Sequence, residues 1–320
     1  LLKAWPALVL AVGLSCGQVQ AADTVLGAEA AKIIPIVDAH FHVMTWMDVR
    51  ELMGYMDRNG IQWAGGVGIG GGKTPGEGAP KFAEALSVMG GRYIRPTGQG
   101  QWLSLHQRFG VAAYENLNAP AVQERLSAIE SDLRDRGARV IGEIHVNGRT
   151  SSPEAMTQFK TKADSLTLKA LFNLAAKYKR PLNIHAQWDS DTAQEVERLA
   201  ESNRSGLLIL AHCGCFADPS AIRGVFERNA NVTCDLSYRS APPMRDRSQA
   251  VFDERSILGG WKKLIEDYPD RFVVGLDIPQ SWKEYESIIR AIRFGLLSNL
   301  SPETAEKVAH KNAQAWFRLE

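Results

Sequence analysis

Residues 33–42 read IIPIVDAHFH, an apolar run that ends in two histidines separated by one phenylalanine. Side chains two apart on a strand point the same way, so His40 and His42 can grip one ion together. A strand that is apolar along most of its length is one buried on both faces, as in a parallel sheet. The polar pair falls at its C-terminal end, where parallel α/β folds build their sites.

Outward from this strand the pattern repeats. Apolar runs at 62–67, 93–98, 140–145, 182–185, 207–212, 232–236 and 272–277 predict seven more strands. Helical periodicity falls at 47–59, 121–135, 166–178, 192–201, 220–228 and 257–268. Eight β-then-helix units over roughly 280 residues predict an α/β fold, a (β/α)8 TIM-type barrel in one domain. A doubly wound open sheet is the alternative, but it requires a phosphate-binding glycine turn after the first strand. That place holds His40-Phe41-His42. Two longer connections follow strands and should therefore sit on the site face: the glycine-rich 65–80, and 239–255 with Pro242-Pro243 and four arginines.

Composition narrows the partners. Hydrophobic residues make up 45% and charged residues 23%, as in an ordinary globular chain. Thirty-seven Lys plus Arg face 36 Asp plus Glu, with no basic stripe, which argues against nucleic acid and leaves a small-molecule substrate. A homo-oligomer is left open. At the N-terminus Lys3 precedes an apolar run over 4–14, too short to span a bilayer, and Val19-Gln20-Ala21 offers a cleavage site. The expectation is a secretory signal over 1–22, a barrel domain over 23–320, export to the periplasm or beyond, and no stable membrane insertion after signal removal. The alternative is a frayed amphipathic helix; lipidation at Cys16 is the lesser reading, because Leu14 is one place out of position. Cys213, Cys215 and Cys234 allow one disulfide and a leftover thiol, but three small buried hydrophobes is the preferred reading.

The polar residues carry the chemistry. His40 and His42 end strand one, Glu143 lies in strand four, His185 ends strand five, His212 strand six and Asp277 strand eight. In a parallel barrel those ends converge on one rim. A lone buried histidine is usually a satisfied core residue and a lone strand-end Asp usually a helix cap. Four of the chain's seven histidines on strand ends point instead to a divalent metal, zinc first, as one ion or two. Arg95, Gln99, His145, Asn147, Trp188, Tyr238 and Arg239 follow the strands as candidate substrate contacts, arginine for its carboxylate fork and Trp102 and Trp188 as walls for a flat substrate. Any one of them can equally be a structural rim residue. Asp235 is read as orienting Tyr238 or capping a helix, outside the site.

The ordered set Asp38-Ala39-His40-Phe41-His42, Gly142-Glu143, His185, Ala211-His212, Gly275-Leu276-Asp277 and Asn312-Ala313-Gln314-Ala315-Trp316-Phe317 resembles the amidohydrolase superfamily, in its amidohydrolase-related branch, over nearly all of the mature chain. Many members carry a carboxylated lysine on strand four. Glu143 stands there, in a context similar to TatD-like nucleases and some phosphotriesterase relatives, where Glu bridges two metals. The resemblance then implies one metal on His40, His42, Glu143 and Asp277 and another on Glu143, His185 and His212. In one-metal relatives the paired histidines, His185 and Asp277 hold the ion and His212 is the acid/base; Glu143 would then orient a ligand histidine. The implied activity is that of a metal-dependent hydrolase, using a metal-activated water on a lactone, amide or ester of a small carboxylic acid, with Asp277 as general base. A non-oxidative decarboxylase on the same metal site and a non-catalytic exported binding protein are the alternatives.

Overall fold

In the computed structural model, which describes residues 24–72, 77–152, 155–241 and 249–320, the first strand, β1 (Ile36–Phe41), is buried along its whole length. It is followed by β2 (Ile61–Gly66), β3 (Tyr93–Ile94), β4 (Pro96–Gly98), β5 (Val140–Asn147), β6 (Pro181–Ala186), β7 (Leu207–Leu210), β8 (Val232–Asp235), β9 (Ser240–Ala241), β10 (Phe252–Asp253) and β11 (Phe272–Val273). Parallel pairing runs β1-β2-β3 in one arc and β4-β5-β6-β7-β8-β11 in the other; β9 and β10 pair with each other inside the 239–255 connection. The third barrel strand is interrupted at Arg95, its first half pairing with β2 and its second with β5. At the other junction Phe41 and Asp277 form a parallel bridge, Ala39 donates its N–H to the Val274 carbonyl at 3.0 Å, and Asp277 donates to that of His40 at 2.8 Å. The strands thus follow the order of a (β/α)8 barrel, laid out as two arcs rather than one unbroken ladder.

Two predicted strands are shorter than expected. The sixth stops at Leu210, because His212 has φ 54° and ψ 25°, a left-handed conformation inside the short turn Ala211–Cys213. The eighth stops at Val273. There the Leu276 N–H turns to the buried Asp38 carboxylate at 3.0 Å, and Gly275 lies so close to His40 that a Cβ would meet its Cβ at 2.7 Å. Both departures serve to aim a side chain off the ladder at its end.

Helices lie where the apolar periodicity places them, and four of them are entered through a side-chain cap. Asp48 accepts from Arg50 N–H at 2.7 Å before Val49–Arg58; Ser165, Asp189 and Asp218 serve Leu166–Lys177, Ser190–Ser202 and Pro219–Arg228 in the same way. Helices Ala79–Met89 and Gln99–Phe109 are additions that the sequence reading leaves as connections. A small cluster gathers Val37, Ile94, Val140, Ile209 and Val273 from five strands against Phe317. Val140 is the first residue of β5 and Val37 the second of β1, so the helix Asn312–Phe317 covers the barrel end opposite His40 and His42. Asn312 fixes it there by donating to the Pro269 and Phe272 carbonyls, each at 2.8 Å. Among the described residues no helix is long and apolar enough to cross a membrane. The expected signal segment and Cys16 lie outside the described residues.

Candidate metal centre

Four strand-end histidines share one arrangement. Nδ1 of His40 lies 2.9 Å from Asp235 Oδ2, that of His42 2.8 Å from the Gly68 carbonyl, that of His185 2.8 Å from Glu143 Oε1, and that of His212 3.0 Å from the Ser237 carbonyl. Carbonyl and carboxylate oxygens only accept, so each Nδ1 carries a proton and Nε2 is the nitrogen left for a cation or for a second proton. Metal-binding histidines are held in this way. Nε2 of His40 is buried without a hydrogen-bond partner, a costly arrangement unless something else occupies its lone pair.

The spacing between donors fits a cation as well. Around a tetrahedral zinc ion, nitrogen and oxygen ligands stand about 3.4 Å apart, given bonds of about 2.0–2.1 Å. His40 and His42 Nε2 each lie 3.5 Å from Asp277 Oδ1, and His212 Nε2 lies 3.4 Å from Glu143 Oε1. Glu143 reaches both ways: its Oε2 is 3.7 Å from His42 and 3.9 Å from His40, while Oε1 faces His185 and His212. Three-residue groups of buried donors, including His40–His42–Asp277 and His40–Glu143–His212, each lie within 4.8 Å. The residues present fit a divalent cation.

Electrostatics follow from this crowding. Burial alone would neutralise every group, but for His40 the nearby Asp235 and Glu143 carboxylates outweigh it and raise the imidazole's pKa well above its ordinary value. His212 is likewise raised to about 9, with Cys215 and Asp277 overcoming burial. Glu143 is held well below the usual carboxylate range despite burial, by the imidazoles around it, with His185 hydrogen-bonded to it, and Asp277 is lowered by His212 and His40. Ionised carboxylates facing protonated imidazoles are a site in which a cation can replace protons.

A family model described as Amidohydrolase matches residues 37–319, from the first strand through the last helix. The chain belongs to the amidohydrolase family. No curated protein matches it. Among solved structures, an uncharacterized TIM-barrel protein from Bordetella bronchiseptica superposes with a TM-score of 0.55 at 13% identity, covering 85% of this chain and 83% of that one. A 2,6-dihydroxybenzoate decarboxylase from Rhizobium gives 0.52 at 14% identity, covering 90% and 99%. An amidohydrolase from Burkholderia multivorans with bound zinc gives 0.51 at 15%, covering 89% and 100%. At such identities the likeness speaks for the barrel and nothing finer.

In this member of the family the candidate substrate contacts divide. His145 and Tyr238 line a cavity above the donors, together with Ile69, Ser151, Phe216 and Ile278. His145 stacks on His185 with ring centroids 4.6 Å apart, and burial lowers its pKa to about 3, so it is neutral. Arg239 borders the same cavity, but its guanidinium is spent on the carbonyls of His212, Gly214, Ala217 and Gln249, which corrects its reading as a carboxylate fork. Arg95 is not brought to this cavity; it lines a neighbouring one and faces Asp132 at 3.6 Å. Asn147 is likewise structural, bonding Gln187, Asp189 and Thr192. Trp102 is buried against Tyr114 and Trp188 lies over Gly214, so neither walls the cavity. Gln99 sits beneath, its Oε1 accepting from Gly68 N–H at 2.6 Å and Glu143 N–H at 3.3 Å.

Several functional residues escape the sequence reading. Asp235, set aside there, is fully buried and holds His40, the His212 N–H at 3.0 Å and Asn183 at 3.2 Å; its pKa falls to about 2, burial being overcome chiefly by His40. Ser151 Oγ and Cys215 Sγ approach His185 Nε2 at 2.9 and 3.5 Å. The preferred reading of the cysteines is also corrected: Cys213 and Cys234 form a disulfide with Cα atoms 4.6 Å apart, because neighbouring strands β7 and β8 bring them together, and Cys215 is left as a buried thiol.

Proposed function

We propose that the protein is a metal-dependent hydrolase that cleaves a lactone, amide or ester bond of a small carboxylic acid. The observation that carries this reading is the Asp277 carboxylate, which lines the cavity and stands 3.5 Å from Nε2 of both His40 and His42. An ionised base in that position meets any water held by the paired histidines' cation site.

His40, His42, Asp277 and Glu143 would hold one cation, with zinc the first choice; His185 and His212, on the far side of Glu143, are placed for a second. When bound, a divalent cation lowers the pKa of water from about 15.7 to about 7 and polarises the scissile carbonyl. Asp277 accepts the proton of the attacking water and returns it to the leaving group. Asp235, Gly68 and Ser237 keep the imidazoles aimed, and Gln99 braces the Glu143 backbone. His145, neutral and stacked, and Tyr238 above His212 offer hydrogen bonds to the acid part of the substrate. Export belongs to the same proposal and is supported by the Cys213–Cys234 disulfide, a bond kept in oxidising compartments.

The test is turnover of zinc- or manganese-loaded protein on a series of small lactones, aryl esters and acyl amides, and on hydroxybenzoates. Acid release that disappears in Asp277→Asn and with chelator is expected. Carbon dioxide from the hydroxybenzoates without hydrolysis of any ester, lactone or amide would replace this reading with the lyase.

A further inference from the structure

Three consecutive residues, His212, Cys213 and Gly214, have φ of 54°, 51° and 64°. This left-handed turn folds the chain back so that Cys215 returns to the cavity that His212 enters. The turn is fixed from behind, since Arg239 donates to the carbonyls of His212 at 2.8 Å and Gly214 at 3.4 Å, and the disulfide anchors Cys213 to β8. Strain of this kind in non-glycine residues persists only where the surroundings impose it.

Its result is a cluster of His185, His212 and Cys215, all buried, with ligand atoms within 4.8 Å of one another. Both imidazoles already have Nδ1 occupied, by Glu143 and by Ser237. Cys215 Sγ stands 3.5 Å from His185 Nε2, and around a tetrahedral zinc ion nitrogen and sulfur ligands stand about 3.6 Å apart, given bonds of about 2.0–2.1 and 2.3 Å. The other two described cysteines are consumed in the disulfide, so this thiol is left with no cross-link to make. Ser151 Oγ lies 2.9 Å from the same nitrogen.

We propose that His185, His212 and Cys215 form a second, sulfur-containing cation site, selective for soft divalent ions such as zinc or cadmium over manganese and magnesium. The inference rests on the metal-dependent reading above and refines it: the two cation positions differ in chemistry, one with nitrogen and oxygen donors, the other with a thiolate. On binding, the Cys215 S–H bond breaks, the proton goes to solvent and the sulfur lone pair goes to the ion. Glu143 then orients His185 through Nδ1, as a carboxylate behind a ligand histidine does.

The experiment is cobalt titration of chelator-treated full-length protein, followed by absorption. Wild type is expected to bind two equivalents, one of which brings a near-ultraviolet thiolate-to-cobalt charge-transfer band. Cys215→Ser and Cys215→Ala should lack the band, keep one equivalent, and lose cadmium affinity at the second position at least tenfold while manganese binding is unchanged. Two equivalents without the band in wild type, or an unchanged spectrum in both variants, overturn the sulfur site and leave the hydrolase reading standing. No bound cobalt at all removes both. Circular dichroism checks the variants' folding, and should they not fold, the wild-type spectrum alone decides.

Discussion

Nδ1 of His40 lies 2.9 Å from Oδ2 of Asp235, and both side chains are buried. The other oxygen of that carboxylate accepts the His212 N–H at 3.0 Å, so one residue at the end of β8 fixes donors from two other strands. Asp235→Ala should lower cation affinity about 10–100-fold, the usual effect of removing a carboxylate behind a ligand histidine. Competition against a chromogenic chelator measures it. Unchanged affinity would reduce Asp235 to a fold residue.

Asp277 is expected to move protons more than to hold the ion. Asp277→Asn keeps shape and one oxygen, so cation content should survive while kcat falls by about 10²–10⁴, the range for a positioned general base. Surrounding imidazoles outweigh burial and hold this carboxyl below its ordinary 3.8, so it stays a base until the pH falls past that value. Any loss of activity at higher pH therefore belongs to other groups. Near-normal turnover in the variant would move the base elsewhere, with His212 the next candidate.

What could be read in the sequence were residues whose type is costly where it stands. Histidines closing apolar runs betray themselves, and so His40, His42, His185 and His212 are legible before any coordinates. Asp235 carried the same signal, a carboxylate inside the apolar run VTCDL, but its partner His40 is 195 residues away and nothing local names it. Arg239 shows the opposite failure: its type suits a carboxylate, yet whether its five N–H groups are free depends on which carbonyls the 211–217 turn presents. Trp102 is not placed by the sequence, because no strong periodicity marks the helix Gln99–Phe109 that turns it into the core.

The disulfide makes a stability prediction. Cys213 and Cys234 are 21 residues apart, and closing a loop of that size stabilises a fold by about 3 kcal/mol through the unfolded chain. Urea unfolding of wild type with reductant should match the Cys213→Ala/Cys234→Ala variant, both about 3 kcal/mol below the oxidised protein. Reduced and oxidised wild type of equal stability would refute the constraint.

Asp189 gives the pH dependence. It caps the helix after β6, accepting Thr192 N–H at 2.8 Å, and joins Lys160 Nζ at 3.0 Å to Asn147 Nδ2 at 3.1 Å, so it ties the ends of β5 and β6 to the loop that carries Thr157 to the cavity. Burial opposes ionisation, but Thr192 and Lys160 prevail and the pKa falls from 3.8 to about 2. A carboxyl depressed in the folded state contributes stability above its unfolded pKa and loses it as pH falls through the folded one. Its side chain is 31% exposed, so solvent screening leaves roughly 1–2 kcal/mol at neutral pH. Asp189→Asn should therefore be less stable than wild type by that amount above about pH 4, and the gap should close as the pH falls towards 2. Urea unfolding at stepped pH checks both size and window. A gap that persists unchanged down to pH 2 would mean that the amide's lost hydrogen bonds, and not the charge, account for the difference.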